Sequence, residues 1–202
     1  MRILLHAILM LSWLCGLYAC DGAEGAAPPP PPTSRFEAVT AKAAPTVDPL
    51  VEFCDVRAEP GQGKELHLPA LEGTPTPNAH ASPLLWINVW ATWCKPCVQE
   101  LPMLAAWQSK LSSEGKSVSL QFVSVDDSAE TVTTFRTQHP GAPPSQRITD
   151  PATLATFIAD LGLDAGAGLP LHIFVEQGSH VRCVRSGAVT EAHYSVIASM
   201  LK

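Results

Sequence analysis

Hydrophobic positions divide the chain into two unlike regions. Ile3 to Ala19 is an apolar run broken only by His6 and Ser12, behind one cation at Arg2. From Val51 onward, short apolar runs alternate with stretches of helical spacing. Leu84-Leu-Trp-Ile-Asn-Val-Trp90 is a near-continuous apolar run rich in β-formers, which predicts a buried central strand. Cys97, Leu101, Leu104, Ala105 and Leu111 then fall near one face of a helix. Pro102 within it predicts one lost backbone bond and a kink. Ser119 to Val125 predicts the next strand. Asp127, with Glu130 three residues on, predicts a capped helix start. Asp150-Pro151 predicts another, followed by Leu154, Phe157, Ile158 and Leu161 at helical spacing. Two apolar runs, 170–176 and 180–185, flank Gln177-Gly-Ser179, a hairpin signal. Thr190 opens a last helix carrying Val196, Ile197, Met200 and Leu201. The order strand, helix, strand, helix, helix, strand, strand, helix predicts an α/β domain over residues 49–202. Its central mixed sheet joins a parallel βαβ half to an antiparallel hairpin, with helices covering it.

The first twenty residues read as an export signal rather than as a spanning helix, which needs about 20 apolar residues. Leu17-Tyr-Ala-Cys20 resembles a bacterial lipobox, so Cys20 is the expected lipidation site, although Tyr18 is bulky for its position. An uncleaved anchor, or cleavage after a small residue such as Gly25, are the alternatives. Each places the rest of the chain outside the cytoplasmic membrane. Residues 21–48 are a Pro/Ala-rich stretch with little to bury. Pro28 to Pro32 predict a polyproline II rod of roughly 15 Å, a spacer between membrane and domain.

Hydrophobic residues make up 46% of the chain and charged ones 16%, which leaves ample material for a core. A formal charge of −6 leaves no basic footprint for nucleic acid. Of six cysteines, Cys15 and Cys20 belong to the leader. Cys54, Cys94, Cys97 and Cys183 remain, in a compartment where thiols pair unless something reduces them.

Cys94-Lys-Pro-Cys97 stands where the predicted central strand meets a helix. Unpaired N–H groups and the dipole at a helix mouth stabilise an anion, and Lys95 adds positive charge, so Cys94 should carry thiolate character. Pro96 has no N–H to donate, which costs nothing in a first turn. Structural zinc needs four ligands, usually as two clusters, and there is only one CxxC. A permanently closed CxxC encloses too short a loop to stabilise much. The spacing and the βαβ setting therefore point to a redox-active pair, a reading that requires no metal and no cofactor.

The segment "WINVWATWCKPCVQELP" resembles the active-site stretch of the TlpA/ResA family, membrane-tethered extracytoplasmic thiol–disulfide oxidoreductases. Val125-Asp126, Gly168-Leu-Pro170 and Gly187 also sit where that family has them, so the resemblance runs from about residue 50 to the end. It implies a thioredoxin-like fold with an N-terminal strand extension, and a cis bond at Leu169–Pro170. On this likeness Cys94 attacks the client disulfide and Cys97 resolves the mixed disulfide. Asn88 occupies the place of thioredoxin's buried aspartate and cannot titrate. The likeness gives Glu100, three residues after Cys97, the proton-transfer role, directly or through water; a solvated helix charge is the bland alternative. Trp93 is expected to shelter the site and Trp90 the core. His172 reads as an ordinary strand residue, since no second metal ligand accompanies it.

Some members carry a second, structural disulfide, which here would join Cys54, in an N-terminal strand pattern, to Cys183 in the hairpin. Two buried free thiols are the alternative. The resemblance implies a reductase of client disulfides, of the cytochrome c maturation or copper-site assembly type, recharged by a membrane thiol-relay donor. A general oxidant or isomerase is the second reading, weakened for the DsbA type by the missing inserted helical domain. A non-catalytic copper-handling protein would want a cysteine pair separated by three intervening residues and a partner histidine, and neither is evident. No PxxxTxxC segment surrounds Cys94, which disfavours a peroxidase.

Overall fold

The computed structural model describes residues 48–73, 82–164 and 166–201. The expected leader, Cys20 and the proline spacer lie outside them. In chain order the elements are α1 (Pro49–Phe53), β1 (Val56–Arg57), β2 (Leu71–Glu72), β3 (Leu84–Trp90), α2 (Lys95–Ser113), β4 (Val118–Ser124), α3 (Ala129–Gln138), β5 (Ser145–Ile148), α4 (Leu154–Asp160), β6 (Leu171–Glu176), β7 (His180–Ser186) and α5 (Tyr194–Ser199). Single 3-10 turns lead into α4 and α5.

The strands form one sheet in the order β1-β7-β6-β3-β4-β5-β2. β3, β4 and β5 run parallel, and every other pairing is antiparallel. β3 lies at the centre, bonded to β4 on one side and β6 on the other, so it is apolar on both faces. The two short N-terminal strands occupy opposite edges and cover what would be open ladders. Across the core, Trp86 stacks on Phe174 with ring centroids 5.0 Å apart and tilts against Trp107 of α2. Phe53 of α1 meets the edge of Phe174, and Tyr194 of α5 meets Trp107. Burying each such side chain stabilises the fold by about 1.5–3 kcal/mol. Among the described residues no helix is long and apolar enough to cross a membrane.

Three local expectations change. The residues before Cys54 form a short helix rather than a strand: Asp48 accepts from Leu50 N (3.0 Å), Pro49 starts the turn, and Cys54 ends it. The cap and the fixed proline φ favour the turn, and extended backbone begins only at Cys54. α3 starts from Ser128, whose hydroxyl accepts from Thr131 N at 3.2 Å, rather than from Asp127. Asp127 stays in the loop, its carbonyl oxygen accepting from Arg147. Ser145-Gln-Arg-Ile148 forms an additional strand against β4, which its polar composition conceals. α2 passes through Pro102 as one element.

Candidate active site

The loop from β3 into α2 sets the cysteines. Cys94 is the N-cap of α2, and its Sγ accepts from Cys97 N at 3.3 Å. The two sulfurs are bonded to each other. Cys94 reaches the surface with 6% exposure, whereas Cys97 is wholly buried one turn inside. Lys95 and Pro96 are exposed in the first turn, where the missing proline N–H has no duty. Asp126, buried at the end of β4, grips the loop: it accepts from Thr92 N (3.1 Å), Thr92 Oγ1 (2.7 Å) and Ser124 Oγ (2.7 Å).

Trp93 immediately precedes Cys94. It sits in the turn between strand and helix with 71% of its surface exposed, because a residue there has no helix or sheet to face. Trp90 is fully buried, packed on Phe135 and donating to Ser145 Oγ at 2.9 Å.

Register brings Pro170 to the same end of the sheet. Val89 faces Leu171 across the β3–β6 ladder, so Pro170 stands level with the end of β3, where the cysteine loop departs. The Leu169–Pro170 bond is cis. Ser186 Oγ donates to Gly168 O (2.9 Å) and accepts from Gly168 N (3.2 Å), while Gly187 N donates to Pro170 O (2.8 Å). Ser186 N in turn donates to Asp55 Oδ2 at 2.7 Å, next to Cys54. The proline loop is therefore tied to β7 and, through it, to the N-terminal segment.

Glu100 is no solvated helix charge: it is 3% exposed. Asn88 Nδ2 donates to its Oε1 (2.9 Å) and Val189 N donates to its Oε2 (2.9 Å), so both oxygens of a buried carboxylate are satisfied. His172, opposite Asn88 in the ladder and fully buried, brings its Nε2 to 3.4 Å from Oε1. It is a strand residue, as its sequence suggests, but a strand residue set against the carboxylate. The signal for it was a lone histidine in an apolar strand whose register partner is a lone asparagine in another.

Cys54 and Cys183 form a disulfide that crosses from the end of α1 to the middle of β7. No cluster of three or more histidine, cysteine or acidic side chains suited to a metal ion occurs among the described residues.

A mixed sheet of this topology with CxxC at a helix mouth and a cis-proline loop beside it is the thioredoxin-like fold. No family model matches the chain. It is 39% identical over 49 residues to thioredoxin-like protein YneN of Bacillus subtilis (strain 168), a match covering 24% of this chain and 29% of that protein. The chain thus spans under a third of the curated relative it resembles. Among solved structures, a thioredoxin-related protein from Neisseria meningitidis serogroup B is 25% identical with a TM-score of 0.50, covering 65% of this chain and 97% of its own. The thioredoxin domain of a thiol-disulfide oxidoreductase from Bacteroides vulgatus has a TM-score of 0.51 at 12% identity, covering 69% and 99% respectively.

Proposed function

We propose that the protein is a thiol–disulfide oxidoreductase of the TlpA/ResA type, working outside the cytoplasmic membrane as a reductase of client disulfides. The observation that carries this reading is the Cys94–Cys97 pair at the mouth of α2, the first residue slightly exposed and the second wholly buried. In the reducing direction, the Cys94 thiolate attacks a client disulfide, forming a mixed disulfide and releasing one client thiolate. Cys97 then gives its proton to Glu100 and attacks Cys94 Sγ. This releases the second client thiolate and closes the Cys94–Cys97 bond. The client gains two electrons and the protein loses two. Leu169 and Pro170 offer the client's extended backbone a place beside the sulfurs, while Lys95, Pro96 and Asn88 shape the pair from the surface and from beneath.

Residues 1–20 serve as a lipoprotein signal with Cys20 as anchor, and residues 21–48 as the spacer that holds the domain off the membrane. Clients are proteins with cysteine pairs, of the cytochrome c maturation or copper-site assembly type, and a membrane thiol-relay protein returns the electrons. Equilibration of the Cys94/Cys97 pair with glutathione tests the direction: a potential near −270 mV suits a reductase, and one near −120 mV an oxidant. Cys97→Ala should trap a client as a mixed disulfide on Cys94. If that variant captures no protein that Cys94→Ala also lacks, the reading fails.

A further inference from the structure

His172 is a buried titratable side chain at the site to which the exchange scheme gives no task. Its surroundings fix where its ring proton lies. Trp86 Nε1, which can only donate, points at His172 Nδ1 from 3.2 Å, and Asn88 Nδ2, also a donor, lies 3.5 Å from the same nitrogen. Nδ1 is therefore the acceptor, and the proton of the neutral ring sits on Nε2. That nitrogen is buried and has no hydrogen-bond partner at ordinary distance, but it lies 3.4 Å from Glu100 Oε1. A buried N–H without a partner is costly, and the carboxylate is the acceptor within reach.

We infer that His172 is a positioning residue for Glu100: Trp86 and Asn88 orient its ring so that Nε2–H steadies the carboxylate that receives the Cys97 proton. This rests on the exchange reading above. Two donors bond the carboxylate, Asn88 Nδ2 from β3 and Val189 N from the segment after β7, and His172 Nε2 of β6 stands 3.4 Å from the oxygen that Asn88 holds. The other charged or titratable groups near the ring are Arg185, its register partner on β7, and His193. Arg185 is occupied by Phe53, donating to its carbonyl at 2.9 Å and lying over its ring. Glu100 is thus held as a rigid proton acceptor beneath the cysteines, and a small misplacement there would slow the resolving step.

The two amide replacements separate this role from simple packing, since glutamine places its N–H where Nε2 stood and asparagine places it where Nδ1 stood. In the full chain, the rate of reaction with glutathione disulfide is measured against pH. His172→Asn should slow exchange about tenfold and displace the pH profile, whereas His172→Gln should recover to within about threefold. On a Glu100→Gln background neither change should add more than about twofold, because the partner is gone. Equal rates and profiles for the two single variants overturn the inference, as does a full loss that persists without Glu100. Should the variants fail to fold, the nitrogen spectrum of the wild-type imidazole decides. A proton on Nε2 whose resonance moves in Glu100→Gln supports the role, and a proton on Nδ1 overturns it. A wild-type chain that exchanges no disulfide fails the exchange reading instead, before any variant is compared.

Discussion

Cys94 and Cys97 are 3 residues apart and Cys54 and Cys183 are 129 apart, yet burial hardly distinguishes the two disulfides. The first pair is 6% and 0% exposed, the second 9% and 0%. What differs is the surroundings. Cys94 stands at the positive end of a nineteen-residue helix, beside Lys95, a setting that favours a thiolate, and the same helix carries the buried Glu100. Cys54 directly follows Phe53, and Cys183 faces Phe174 across the β6–β7 ladder with Val184 next to it. One environment suits a bond that opens and closes; the other suits a tie between distant parts of the chain.

Breaking that contrast begins with its largest effect. Cys94→Ala should abolish exchange with glutathione disulfide, a fall of at least about 10³-fold, because no other sulfur at the site can replace the nucleophile. Its stability in denaturant should change far less than that of the next variant. Replacing Cys54 and Cys183 together by alanine should lower stability by about 4–5 kcal/mol on the chain-entropy estimate for so long a loop, read as a shift in the urea midpoint. Exchange in that variant should stay within about threefold of wild type.

A smaller effect tests the same side of the molecule without touching sulfur. A Cβ on Gly63 would stand 1.9 Å from the Val181 carbonyl oxygen, where the N-terminal segment lies against β7. Gly63→Ala should therefore cost about 1–3 kcal/mol in the same unfolding measurement, with little change in exchange.

The smallest effect is a pH dependence. Burial, then the nearby Arg185 and His172, hold the His193 imidazole below its usual pKa, beside Phe53 at the structural disulfide. The unfolded chain then binds this proton more readily than the folded one. Stability should fall as pH drops from about 6.5 toward the lower folded value, and should be flat with respect to this group above that range. Comparing the wild-type unfolding curve with that of His193→Gln should remove this slope.

Much of the domain was readable without coordinates because its signals are local. Leu84–Trp90 and the cysteines after it announce a buried strand entering a helix, and Gln177-Gly-Ser179 announces the hairpin. Asp150-Pro151 marks the start of its turn. The misreadings arose where local signals were weak or rival ones adjoined. Ser145–Ile148 is too polar to look like a strand until β4 pairs with it. Asp127 and Ser128 are both good caps, and only the tie from Arg147 to the Asp127 carbonyl separates them.

The sequence by itself determined the period of each element, the place of CxxC at a helix mouth and the proline before the hairpin, since these depend on neighbours within a few residues. Only the tertiary structure decided which distant residues meet. Register along β3 and β6 puts Asn88 opposite His172, the packing of α2 brings Glu100 to both, and the edge pairing of β1 with β7 carries Cys54 to Cys183. A buried polar residue must find partners, but nothing in its own stretch of chain names them. The pairing of strands far apart in sequence supplies those partners.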